Sequence, residues 1–191
     1  MRVRAVGVLA LMALVLASCG GATPEAAGPT EGIQVHGDWT IDVYNPDGSL
    51  DEHHEFSNAL GLRGGAQLIN LLAGGLTTGG LWEIELSPGC PSSTGGTCSM
   101  PGIVAIGVDE NANGVFDLLR LVGETTVEAD AAIDRVVTNI GFCSSSVSPD
   151  ACTNGENNNP FTARDFAAAD TVPVSAGQTV QVQVDISFTT G

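Results

Sequence analysis

Lysine is absent from the chain, and all six basic residues are arginines. That removes P-loop phosphate binding and every other lysine-dependent site. The sequence also contains no G-x-S-x-G elbow and no H-E-x-x-H zinc pair. A catalytic triad would have to use His36, His53 or His54, which all fall early in the chain. Aromatic residues are only 5% of the total. No apolar run reaches the roughly 20 residues of a membrane-spanning helix. What remains is rich in Gly, Ser, Thr, Asn and Val, a composition that suits strands joined by turns more than long helices.

The longest apolar run, Val6 to Ala17, follows Arg2 and Arg4 and ends in Leu16-Ala17-Ser18-Cys19. A short basic start and a run of this length fit a secretory signal. The last four residues resemble the lipobox of bacterial lipoproteins. That resemblance implies diacylglyceryl attachment to Cys19, cleavage before it, and acylation of the new N-terminus. In such proteins an aspartate after the lipidated cysteine favours retention in the inner membrane. The residue here is Gly20, so in a Gram-negative cell the resemblance implies the outer membrane.

Removing residues 1–18 leaves about 173 residues, enough for one domain with a proper core. Four arginines then face 22 carboxylates, a formal charge of 4 − 22 = −18. Such a surface repels nucleic acid, which excludes that class of partner, and repels anionic lipid headgroups too. It suits a cationic partner, divalent ions or a salty habitat, the alternative being a merely solvated acidic surface. With Cys19 assigned to lipid, Cys90, Cys98, Cys143 and Cys152 remain. An even count in an exported chain reads as disulfides, with three possible connectivities. The local pairs Cys90–Cys98 and Cys143–Cys152 are the expected ones, each closing a short polar loop.

Residues 19–35 lack apolar periodicity and read as a flexible tether, leaving 36–191 as a single domain. Trp39, Ile41 and Val43 alternate with polar residues on a first strand. Asn45-Pro46-Asp47-Gly48 is a turn, and a second strand from Leu50 to about Phe56 completes a hairpin. Asn58 is a candidate cap for a short helix with Leu68, Leu71 and Leu72 on its buried face, weakened at its start by Gly64 and Gly65 and stopped by Gly74-Gly75. Further strands are expected at 81–86, 103–108, 115–122 and 133–142, the 103–108 run being apolar enough to be buried on both faces. Val180, Val182, Val184, Ile186 and Phe188 mark the last strand, the clearest in the chain. The expected fold is mainly β: an antiparallel β-sandwich of about 7–8 strands with one short helix, or alternatively a small β-barrel. Asn58-Ala59-Leu60 with Leu68 to Gly74, and Val172 to Val182 running on to Phe188, are similar to phage tail and fibre-like β proteins. That similarity concerns fold only.

One loop carries metal-binding grammar. Asp109, Asn111, Asn113 and Asp117 occupy the first, third, fifth and ninth places, with Gly114 sixth, as in a helix-loop-helix calcium loop. With the Val115 carbonyl they offer five oxygens, but the twelfth place is Arg120 instead of a bidentate glutamate. The alternative is a plain hairpin turn at Asn113-Gly114. Asp51, His53 and Glu55 share one face of the second strand and read as a solvated polar face, with His54 at the core edge. Asp42 and Glu55, across the first hairpin, form a carboxylate pair of the kind glycoside hydrolases use.

The expected function is a non-catalytic binding or structural module in the cell envelope. It is anchored by lipid on Cys19, with a protein or glycan as ligand and no cofactor beyond possible Ca2+. A calcium-dependent adhesin-like domain and a carboxylate-dependent glycoside hydrolase are the alternatives.

Overall fold

A computed structural model describes residues 33–73, 77–88, 98–144, 146–152 and 160–190. Cys19 and Cys90, together with the whole leader and residues 19–32, lie outside the described residues. The folded unit is Ile33–Thr190. Its elements in chain order are β1 (Ile33–Tyr44), β2 (Leu50–Ala59), α1 (Leu62–Leu72), β3 (Thr77–Ser87), β4 (Cys98–Ile103), β5 (Ile106–Val108) and β6 (Leu118–Thr126). Then come β7 (Ala131–Ile133), β8 (Arg135–Ser144), a 3-10 turn at Pro149–Ala151, β9 (Pro160–Asp165), β10 (Val172–Val174) and β11 (Thr179–Thr190).

The strands form a five-stranded sheet, β2-β1-β11-β6-β5, a four-stranded sheet, β4-β3-β8-β9, and a small β10-β7 pair, all antiparallel. No sheet closes into a barrel. This is the expected sandwich, built from eleven strands among the described residues instead of seven or eight.

The core follows from period-two alternation. Val35, Trp39, Ile41 and Val43 of β1 and Val180, Val182, Val184 and Ile186 of β11 are buried, facing Trp82, Ile84 and Leu86 of β3 and Met100 of β4. Their polar neighbours point outward, as one wetted face per sheet requires. At Gly123 the sheets come so close that a Cβ would lie 2.8 Å from Met100 Sδ. The β1–β11 ladder is continuous from Ile33↔Thr190 to Tyr44↔Thr179.

Several local expectations are corrected. The apolar 103–108 run is not one strand. It leaves the four-stranded sheet at Ile103 and joins the five-stranded sheet at Ile106, so Val104 is 67% exposed in the crossover and Ile106 56% exposed on the edge strand β5. A strand from Val115 is displaced to Leu118, because Val115 and Phe116 belong to the preceding loop. The 133–142 strand divides into β7 and β8. Phe188 is 45% exposed although it continues the β11 alternation.

Asn58 is not a helix cap. It lies within β2, where its Oδ1 accepts a hydrogen bond from Trp39 Nε1 at 3.2 Å. Leu72 is exposed, whereas Leu68 packs against the core. Gly64 is in the first turn of α1 because nothing larger fits there. A Cβ would collide with the Phe161 carbonyl oxygen and sit 2.9 Å from the carbonyl carbon.

Candidate functional site

The β1–β2 hairpin places Asp42 opposite His53 and Thr40 opposite Glu55. His53 Nδ1 lies 2.6 Å from Asp42 Oδ1, and its Nε2 lies 3.4 Å from Glu55 Oε1. The hydrogen bond to Asp42 holds the imidazole protonated above its ordinary pKa, with the Asp42 and Glu55 charges adding to it. Asp42 and Glu55 therefore do meet, through the imidazole, on an exposed sheet face, and Glu55 also lines a cleft with Phe56 and Arg164. With a carboxylate at each ring nitrogen, His53 is an ion-pair centre. Asp51 is drawn elsewhere, accepting from Gln178 Nε2 at 2.7 Å. No group of three His, Cys, Asp or Glu side chains placed to hold a metal ion occurs among the described residues.

The loop from Asp109 to Asp117 joins β5 to β6. It is closed by Asp117 N–H donating to Val108 O at 2.8 Å. Its length rules out a two-residue hairpin at Asn113-Gly114. Instead the chain folds around its own side-chain oxygens. Asp109 accepts from the backbone N–H of Asn113 (3.0 Å) and of Gly114 (2.6 Å). Asp117 Oδ2 accepts from Asn111 Nδ2 at 3.0 Å, and Asn113 Oδ1 from Val115 N–H at 2.8 Å. Gly114, in the sixth place, has φ +83°, and Ala112 has φ +52°.

The donor set partly fits a calcium ion. Each Asp109 oxygen keeps a lone pair beyond the one bond it accepts, whereas Asp117 Oδ2 is taken by both Asn111 N–H and Nδ2. Gly114 makes the sharp turn that such a loop needs. Arg120, in the twelfth place, is turned away. Its guanidinium pairs with both Asp185 oxygens at 2.7 and 2.6 Å across the β6–β11 ladder.

A third feature was not legible in the sequence. A cleft of about 300 Å³ is lined by His54, Phe56, Arg164, Phe166, Asp170 and Thr171 among others. The Arg164 guanidinium carbon sits 4.6 Å from the Phe56 ring centre and 5.4 Å from that of Phe166. Its Nη1 donates to Ser57 O at 3.3 Å. Phe56 is stacked on Trp39 at 5.7 Å and meets Phe166 edge-on at 5.1 Å. Arg164 belongs to β9 and Ser57 to β2, so this cation clamps the edges of the two large sheets together. Only tertiary pairing brings these residues together, and no spacing in the sequence announces it.

Cys143 and Cys152 form a disulfide with Cα atoms 5.7 Å apart. Cys152 O accepts from Leu81 N–H at 2.9 Å, which ties the bridge to the middle of β3. The expected Cys90–Cys98 bridge involves Cys90, outside the described residues.

Compared with known proteins, the chain matches no family model, no curated protein and no solved structure.

Proposed function

We propose that this chain is an envelope lipoprotein whose β-sandwich serves as a non-catalytic binding or structural module, held to the membrane by lipid on Cys19. The observation that carries the reading is Leu16-Ala17-Ser18-Cys19 behind a basic start and an apolar run. The formal charge of the mature chain supports a module facing an aqueous compartment, and the Cys143–Cys152 bridge supports an oxidising one. Expression of the full chain in a Gram-negative host tests it. The membrane-extracted protein should begin at Cys19 and carry the mass of three acyl chains with the glyceryl link, and Cys19→Ser should abolish both. A chain still beginning at Met1, or free of lipid, refutes the reading.

A calcium-dependent module is the second reading, favoured by the folding of the Asp109–Asp117 loop around its own carboxylates instead of into a two-residue turn. Binding to the native state alone stabilises by RT ln(1 + [L]/Kd), about 2.7 kcal/mol at 100-fold excess over Kd. The melting temperature in millimolar calcium should exceed that in chelator by several degrees. Asp109→Ala should remove the difference. Equal midpoints in the two conditions refute this reading.

A further inference from the structure

Helix α1 has two apolar faces. One is turned inward: Gly64 and Gln67 are buried and Leu68 packs on the core. On the other, Leu62, Ala66, Ile69 and Ala73 recur at i, i+4, i+7 and i+11, a single line along the helix. Leu72 lies beside it. Leu62 is 95% exposed, Ile69 67% and Leu72 76%. A row of this kind left in water marks an interaction surface.

The position of the helix identifies what covers that face. Ala59 pairs with His36, and Leu60 N–H donates to Val35 O at 3.3 Å. The helix therefore begins beside the first residues of β1, the end at which the domain is joined to Cys19. Even fully extended, residues 20 to 33 span at most about 50 Å. Lipid on Cys19 would keep this end, more than the opposite one, near the bilayer.

Charge agrees with position. From Phe56 to Trp82 the sequence has no aspartate or glutamate, so α1 lies in a stretch free of the carboxylates that phosphate headgroups repel. The loop before β6 is at the same end, since Leu118 and His36 both pair with Ser187. It exposes Val115 (62%) and Phe116 (74%) but also carries Asp109, Glu110 and Asp117, so it is α1, not this loop, that is free of carboxylates. No helix among the described residues is long and apolar enough to cross a membrane. An eleven-residue helix is only about 16 Å long, against a hydrocarbon core of about 30 Å.

We infer that the outward face of α1 lies in the interface of the bilayer that holds the Cys19 lipid, giving the domain a second membrane contact and a fixed orientation. This rests on the lipoprotein reading above. Three acyl chains on Cys19 anchor the chain without help but leave the domain free to turn, so what a second apolar contact adds is orientation.

The test uses the lipidated full chain in phosphatidylcholine vesicles, with and without brominated acyl chains. Ile69→Trp places a fluorophore on the outward face, and Leu50→Trp places one at the far end of the sandwich, where Leu50 is 54% exposed. The native Trp39 and Trp82 are buried (1% and 6%) and set the background. The expected result is a blue-shifted emission, quenched several-fold more by brominated lipid, in I69W and not in L50W. Adding Leu62→Glu and Leu72→Glu to I69W should return quenching to the L50W level while the chain still floats with the vesicles.

Flotation separates the two readings. A chain that fails to float refutes the anchor, and the inference falls with it. One that floats with equal quenching at both positions refutes only the helix contact. A blue shift in I69W without vesicles that grows with protein concentration would mean that a second copy covers the face, and would also overturn the inference.

Discussion

Replacing Gly64 with alanine sets two effects of opposite sign against each other. In an ordinary helix interior the change stabilises by about 0.5–1 kcal/mol, because glycine loses more backbone freedom on folding. At Gly64 the new methyl would run into the Phe161 carbonyl and meet Leu60 Cδ1 at 2.7 Å. Leu60 can turn aside, but Phe161 lies in β9 of the four-stranded sheet and its backbone cannot. Overpacking of this kind costs about 1–3 kcal/mol, so the net expectation is a loss of about 1–2 kcal/mol. Gly65 is the internal control. Its Cβ would touch only Leu60 Cδ2 at 3.7 Å, an ordinary contact, so Gly65→Ala should gain about 0.5–1 kcal/mol. For a domain of this size 1 kcal/mol moves Tm by about 2–4 °C. Thermal melts followed by tryptophan emission should therefore place G64A below the parent and G65A above it. A G64A protein as stable as the parent would refute the close approach of α1 to β9.

Three further outcomes follow from the same geometry. Cys143→Ala with Cys152→Ala opens a loop of nine-residue separation, which by chain entropy should cost about 2–3 kcal/mol; a thermal melt without reductant should place the double variant about 4–12 °C below the parent, and equal midpoints would refute the bridge. Asn58→Ala removes the acceptor of Trp39 Nε1, and the orphaned donor should cost about 1–3 kcal/mol; in a Trp39→Phe background, which has no such donor, most of that cost should vanish in a double-mutant cycle. His53 has its folded pKa raised, first by the hydrogen bond to Asp42, so its stabilisation is fully present below the unfolded value of about 6.5 and is lost as pH rises through the folded value. A Tm–pH series should show the parent losing a small advantage over His53→Asn above that point, and parallel curves would refute the pairing.

Much of the fold was legible because alternation survives wherever one face of a strand is wet. The residues of β1 and β11 announce their buried side in the sequence, and Asn45-Pro46-Asp47-Gly48 announces the turn, closed by Gly48 N–H to Asn45 O at 2.8 Å. The run at 103–108 misleads for a physical reason. Its residues are apolar throughout, so periodicity cannot reveal that the chain changes sheets between Ile103 and Ile106. Asn58 is a good cap by type, yet its amide is claimed by a tryptophan nineteen residues away. Leu72 matches the spacing of an inward face, but its direction depends on the docking of Gly64 against Phe161. Of the candidate sites, Asp109, Asn111, Asn113 and Asp117 share one loop, as their closeness in the chain dictates, and are joined there by hydrogen bonds. The Arg164 clamp stayed invisible, since its members come from β2 and β9 and share no motif.

The pairing of β1 with β11 has a consequence for how the domain is made. Both strands lie inside the five-stranded sheet, and they are the first and last strands of the folded unit. Until Thr179–Thr190 has left the ribosome, β1 and β6 each lack a neighbour, and the sheet cannot assemble by local growth. Such a topology has high contact order and folds slowly. If the chain is exported as proposed, it gains from this, because it stays unfolded, and so able to thread a translocation channel, until β11 has been made. The open strand edges are an aggregation hazard over that interval. Mutual repulsion among the 22 carboxylates keeps the waiting chains apart.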